Sequence, residues 1–318
     1  MSDSKPSKRS KEFKTSIGGQ ALIEGIMMRG PRVQSIVVRT KDGLITKTEE
    51  LKLLKDKYPI VGLVFIRGIV NFVSTMAVGV RALMFSAELM PEEEQEEPSR
   101  FEMWLDKKFG SDGAEKVFIT FSVILGIALV VGLFMLLPTF LAGFLSNIIK
   151  SRTIKSLIEG VLRIVIFLIY MWLATRLDQI KRVWAYHGAE HKTIYCYEKN
   201  LPLTVENVKV QSRFHPRCGT SFLFIVMIVS ILVFSFTGWS NIWMRMGMRI
   251  LLLPVVVGIS FEIIKLAGRY DNVITRAISA PGKALQKLTT REPDEDMIET
   301  AIEALKLVIP ENALEAEW

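Results

Sequence analysis

Four apolar runs in this chain are long enough to cross a bilayer, at about 117–145, 157–175, 221–238 and 249–267. Each approaches the roughly 20 residues that a spanning helix needs. Pro138 lies inside the first run and predicts a kink, because proline removes a backbone donor. The second run carries Glu159 and Arg163 one turn apart, a pair expected to neutralise itself within the bilayer. Glu262 and Lys265 sit near the far end of the fourth. Residues 58–90 are also apolar, but they repeat small and polar residues at helical spacing: Arg67, Gly68, Asn71, Ser74, Thr75, Gly79 and Arg81. That stripe predicts an amphipathic helix with one face suited to close packing. Its two arginines favour a helix lying at the interface over a further span.

The polar stretches organise the rest. Residues 1–15 read as a disordered basic tail with no apolar core behind it, so no cleavable signal is expected. In the N-terminal segment 16–57, four glycines and a proline between Ile17 and Pro31 predict an irregular, closely packed backbone. Two β-branched runs, Ser35–Thr40 and Leu44–Thr48, flank Lys41-Asp42-Gly43 and predict a β-hairpin. Residues 91–100 form an acidic linker. In the C-terminal segment 268–318, Ala280-Pro281-Gly282 marks a break. A helix then starts at Pro293-Asp294, with Ile298, Ala301, Ile302, Leu305 and Ile309 on its apolar face. That face needs a partner, and the hairpin and the 176–220 loop are available. The expected fold is mainly α: a membrane domain over 117–267 with about four spans, plus a small α+β cytoplasmic domain assembled from the N-terminal, central-loop and C-terminal segments.

Composition agrees and sets the orientation. The chain is 50% hydrophobic, with a net charge of +7. In a soluble protein that charge would suggest nucleic acid, but basic residues also crowd the cytoplasmic ends of spans, and no nucleic-acid partner is expected. Thirteen Lys and Arg precede residue 58, eight lie in 176–220 and seven follow from Lys265, against three in 146–156 and two in 239–249. Both termini and the 176–220 loop are therefore expected in the cytoplasm of a multi-pass cell-membrane protein whose partners are the lipid bilayer and proteins met through the cytoplasmic domain.

Candidate chemistry is concentrated in that loop. All three histidines and both cysteines fall between His187 and Cys218. The second span is expected to continue as a helix through about Tyr197, where His187 and His191, four apart, share one face. His187-Gly188-Ala189-Glu190-His191 is the mirrored zinc-protease order, two histidines for the metal and a glutamate for a general base. His215-Pro216-Arg217-Cys218 adds a second His/Cys pair on a turn. The expected ligands are His187, His191, His215 and Cys218, the expected ion zinc, and the expected catalytic residue Glu190. Four protein ligands would close the site and make it structural; a free position would let Glu190 activate water. Cys196, five residues past His191, points away from both histidines on a helix and reads as a packing residue. Glu24, Arg29 and Arg217 read as ordinary polar or juxtamembrane residues rather than ligands for substrate. A zinc-dependent hydrolase acting on a peptide or lipid-linked substrate is the leading functional expectation. A non-enzymatic scaffold or regulator with a structural zinc is the alternative, and four spans with few buried charges support a transporter poorly.

The chain also resembles the YqhQ family, bacterial multipass membrane proteins classed as a domain of unknown function. The resemblance covers about 16–309 and rests on Gly18-Gly19-Gln20-Ala21, Met28-Arg29-Gly30-Pro31, His187-Gly188-Ala189-Glu190-His191-Lys192, His215-Pro216-Arg217-Cys218-Gly219-Thr220 and Leu288-Thr289-Thr290-Arg291-Glu292-Pro293. Members are sometimes labelled predicted metal-dependent enzymes; the resemblance implies no established reaction.

Overall fold

The computed structural model describes residues 13–51, 58–90, 100–144, 149, 151–236, 242–270 and 272–317. The basic tail through residue 12 and most of the acidic linker lie outside them. Packing begins at Phe13, earlier than the boundary at residue 15 predicts, because its ring is buried edge-on against Tyr197 with centroids 5.6 Å apart.

The N-terminal segment is a four-stranded antiparallel meander: β1 Gly18–Leu22, β2 Gly25–Arg29, β3 Val33–Thr40 and β4 Gly43–Glu50. The hairpin at Lys41-Asp42-Gly43 forms as expected, with Thr40 opposite Gly43. The glycine-rich stretch is regular sheet, which corrects the irregular backbone expected there. Its glycines serve close packing. A β-carbon on Gly19 would lie 2.7 Å from the Met27 carbonyl oxygen, and one on Gly25 would lie 2.5 Å from that of Val37.

Helices follow: α1 Ile66–Glu88, α2 Arg100–Phe109, α3 Ser111–Val131, α4 Leu137–Phe144, α5 Arg152–Ala174, α6 Asp178–Glu198, the short α7 Val205–Lys209, α8 Gly219–Ser235, α9 Ile242–Arg269, α10 Val273–Thr289 and α11 Glu295–Lys306. Among the described residues, four stretches are long and apolar enough to cross a membrane: Ile66–Glu88, Thr120–Phe144, Thr153–Ala174 and Met244–Arg269. This set differs from the expected one. Residues 66–88 qualify by length and composition, whereas Gly219–Ser235 is shorter than the expected 221–238 run.

The described residues of Met1–Leu89, Met171–Val226 and Pro254–Trp318 form one compact unit; those of Met90–Tyr170 and Met227–Leu253 form another. In the first, the sheet packs on α6 and α11 around Ile26, Met28, Val37, Tyr186, Ala189, Ile298 and Leu305. The predicted α11 face is the buried one, and Ile298, Ile302 and Leu305 each contribute about 2 kcal/mol by leaving water. Asp294 caps α11 by accepting from the Met297 amide, 2.9 Å away. Pro281 lies inside α10 and does not break it. Gly282 beside it lets α10 press on Ser221, whose Cα would lie 2.7 Å from an added β-carbon. Cys196 is buried in this core, in keeping with a packing role. In α1, Arg67 forms an ion pair with Glu262. Farther along, Thr75 meets Arg29, and Gly79 lies against Gln20 of the sheet.

In the second unit, a π-helical turn, Gly132–Leu136, joins α3 to α4 just before Pro138. Pro138 has no N–H for the Phe134 carbonyl, and Arg163 Nε donates to that oxygen instead, at 2.8 Å. Glu159 is not matched by Arg163 alone. Its Oε1 accepts from Arg249 at 2.5 Å and Thr139 at 2.6 Å, with Arg163 more distant at 3.4 Å. Three elements thus meet on one buried carboxylate, an arrangement that spacing along α5 does not encode.

A buried histidine–cysteine cluster

Two elements build the candidate site. The first, α6, is a new helix and not an extension of α5. The Thr175 hydroxyl bonds back to the Trp172 carbonyl, and Leu177 is extended before α6 begins, which corrects the single continuous helix expected from residue 157 to about 197. The second is the turn at His215–Cys218, which leads into α8. On α6, Gly188 sits where the chain beyond α10 crosses. An added β-carbon would collide with the Arg291 carbonyl oxygen, so only glycine allows this approach.

One donor atom from each of His187, His191 and Cys218 lies within 4.8 Å of the other two, and all three residues are buried. His187 Nε2 is 3.1 Å from Cys218 Sγ. Its Nδ1 is 2.8 Å from the Thr289 carbonyl, and His191 Nδ1 is 2.5 Å from the Arg213 carbonyl. A carbonyl only accepts, so each Nδ1 carries a hydrogen, and the neutral ring is the tautomer whose lone pair sits on Nε2. This tautomer is the one that metal-binding histidines adopt, with a carbonyl orienting the ring from behind. His191 Nε2 is buried and meets no hydrogen-bond partner among the described residues. Thr220 supports the Cys218 sulfur through its amide, at 3.5 Å, and its hydroxyl, at 3.2 Å.

Glu190 is buried beside the cluster. Its Oε1 accepts from the Gly19 amide at 3.0 Å, while Oε2 is buried with no partner among the described residues. Burial raises its pKa above the ordinary carboxylate value, against the pull of the two imidazoles. Burial by itself would lower His187, but the sulfur beside it raises the imidazole to about 9. Burial would likewise raise Cys218, but His187 and His191 hold the thiol well below its ordinary value. Two imidazole nitrogens, one of them unpartnered, and a cysteine sulfur fit a divalent cation of the zinc type.

His215, the fourth expected ligand, is not in the group within mutual reach among the described residues. Its Nε2 lies 3.5 Å from Glu198 Oε2, and burial lowers its pKa to about 4. Gln286 holds its backbone from both sides, accepting from the amide at 2.8 Å and donating to the carbonyl at 2.7 Å. Arg217 is buried in an ion pair with Glu198, and is not the open juxtamembrane cation expected. Glu24 pairs with Arg182, also away from the cluster. Sequence reasoning missed Glu198 and Gln286, because nothing in their spacing distinguishes a buried glutamate or glutamine from an exposed one. It also missed Gly19, which supplies backbone rather than a side chain.

Residues 63–311 match the family described as "Protein of unknown function (DUF1385)". The chain is 34% identical over 304 residues, 93% of each chain, to "Uncharacterized protein YqhQ" of Bacillus subtilis (strain 168). No solved structure matches. With a family match over most of its length and a relative that aligns almost end to end, the chain belongs to the YqhQ (DUF1385) family.

Proposed function

We propose that this protein is a membrane-embedded, zinc-dependent hydrolase acting at the cytoplasmic face on a peptide or lipid-linked substrate. The observation that carries this is the three-donor cluster with an acid beside it. His187, His191 and Cys218 form a set of three protein donors, the number found in catalytic zinc sites that keep a position open. Glu190 Oε2 is buried and unpartnered at that edge. The chemistry zinc supplies in such a donor set is Lewis acidity toward a carbonyl or phosphoryl oxygen and toward water. Glu190 is held through Oε1 by the Gly19 amide, which leaves Oε2 to take the proton of an attacking water and return it to the leaving group. Thr289 and Arg213, through their carbonyls, fix the two imidazoles. Both termini and the 176–220 region are assigned to the cytoplasm on their Lys and Arg excess. The α1 helix is assigned to the interface, since its second half lies against the sheet and Arg67 is committed to Glu262.

One observation favours a second reading. The cluster is nearly closed to solvent, with His191 only 1% exposed, as in a structural staple. Glu190→Gln separates the two. The full-length protein in detergent would be assayed for metal content and for chelator-sensitive cleavage of a fluorogenic peptide set and of lipid-linked substrates. Retained zinc with lost turnover supports the hydrolase. Unchanged turnover in the variant would sink it, and zinc retained with no turnover in either protein leaves the staple as the better account.

A further inference from the structure

A cavity of about 450 Å³ lies in the first unit, and five of its nine lining residues are cationic: Arg176, Lys181, Arg213, Lys287 and Arg291. No acidic side chain lines it. Its volume falls in the ordinary range for small-ligand sites. Three of the cations have acidic neighbours, since Asp178 feels Arg291 as well as Lys181. Lys181 pairs with Asp178, and Arg213 Nη1 lies 3.5 Å from Glu292. Two carboxylates do not balance five cations, and Glu292 is shared with Lys192 at 2.8 Å. Arg213 Nε is buried and has no hydrogen-bond partner among the described residues.

The wall is built rather than incidental. Arg176 lies over the Trp172 ring, 4.4 Å from its centroid. Arg291 donates to the Thr175 carbonyl at 3.2 Å, and its amide donates to the Trp184 carbonyl at 2.9 Å. Trp172 and Thr175 close the last turn of Thr153–Ala174, a helix apolar enough to span. The cavity therefore stands where that apolar segment gives way to polar chain, the level at which tryptophan and basic residues meet lipid headgroups.

We propose that this cavity binds a phosphate-bearing ligand, a phosphate mono- or diester of the kind an anionic lipid headgroup presents. Guanidinium forks match phosphate oxygens in pairs, and Arg176, Arg213 and Arg291 supply three of them on the cavity wall. Thr290, also in the wall, has its hydroxyl committed to the Gln286 carbonyl at 2.7 Å, so the cationic side chains carry the recognition. A single carboxylate would leave most of this charge unmatched. The cavity shares its chain with the histidine–cysteine cluster: Arg213 holds His191 through its carbonyl, and Thr289, which holds His187, directly precedes Thr290 and Arg291. The proposal needs no metal and stands whatever the fate of the hydrolase reading.

The test uses the full chain in an uncharged maltoside detergent, with binding read by calorimetry at constant ionic strength. The probes are dihexanoyl phosphatidic acid, dihexanoyl phosphatidylcholine, inorganic phosphate and sulfate. Phosphatidic acid is expected to bind at least about tenfold more tightly than phosphatidylcholine or sulfate. The exposed pair Arg176→Gln and Lys287→Gln is expected to weaken it about tenfold or more, with the ligand-free melting temperature unchanged. Inorganic phosphate binding as tightly as the lipid would assign the site to soluble phosphate esters; weaker phosphate binding assigns it to lipid. Should the double variant fail to fold, Lys287→Gln alone makes the same comparison. Phosphatidic acid and inorganic phosphate that both bind no better than sulfate, or a folded variant that binds them unchanged, would overturn the proposal.

Discussion

Replacing Gly188 by alanine pits helix propensity against packing. Within α6, alanine is favoured over glycine by about 1 kcal/mol, so a reading of the helix alone predicts a more stable protein. The tertiary structure reverses the sign. The new β-carbon would lie 3.2 Å from the Arg291 carbonyl carbon and well inside van der Waals contact with its oxygen. Backbone cannot rotate away as a side chain can, so the 289–293 segment has to retreat by roughly an ångström, a strain of about 1–3 kcal/mol or more. The retreat also stretches two hydrogen bonds, Arg291 amide to Trp184 carbonyl at 2.9 Å and His187 Nδ1 to Thr289 carbonyl at 2.8 Å. At about 1 kcal/mol each, these bring the net cost to roughly 2–4 kcal/mol after the propensity gain. The expected loss is on the order of 5–10 °C in the melting temperature of the detergent-purified protein, with weaker zinc retention because His187 loses its orienting carbonyl. Gly126→Ala is the control, since it lies on α3 with open space around its added carbon and should leave the melt unchanged or slightly raised. A Gly188→Ala protein that melts within about 1 °C of the parent and keeps its zinc would refute this account of the motif's glycine.

Three further outcomes are expected. Cys218→Ser should cut the content of the proposed zinc by at least about tenfold while the fold persists, because a serine hydroxyl is a harder and far weaker acid than a thiol; undiminished zinc by elemental analysis would remove Cys218 from the donor set. Gln286→Ala strands the buried amide and carbonyl of His215 and should destabilise by roughly 2–4 kcal/mol, read as a lower thermal midpoint; a midpoint equal to the parent's would contradict those two bonds. The metal-free protein should lose stability as pH falls from about 6.5 toward 4. His215 folds with its pKa lowered to about 4, so the unfolded chain binds the extra proton in that window, and the depressed Glu198 acts in the same direction at its lower edge. The raised pKa of Glu190 works the other way, so the His215 share is read as the difference in midpoint between the parent and His215→Asn; a difference that does not change between pH 6.5 and 5 would contradict the buried, neutral His215.

Much of this protein is legible in its sequence because the informative signals are local. Three of the four apolar runs, the hairpin at Asp42-Gly43 and the buried face of α11 all follow from periods of 3.6 and 2 that solvent contrast writes directly into the residues. His187 and His191 share a face for the same reason, and the rarity of histidine and cysteine elsewhere marks the site. What spacing could not decide was set by contacts between distant segments. Gly19 and Gly25 look like loop residues until the neighbouring strand is seen to occupy the space of a side chain. Pro281 looks like a break, yet α10 runs through it with Gly282 pressed on Ser221. Glu262 takes Arg67 from another helix, and Glu159 takes Arg249 before Arg163, because opposite charges pair with whatever the packed helices bring nearest. Most of all, the sequence alone offered His215 and Cys218 as equals. The turn between them points the thiol at His187 and commits the imidazole to Glu198, a choice made by Gln286 some seventy residues away gripping the His215 backbone on both sides.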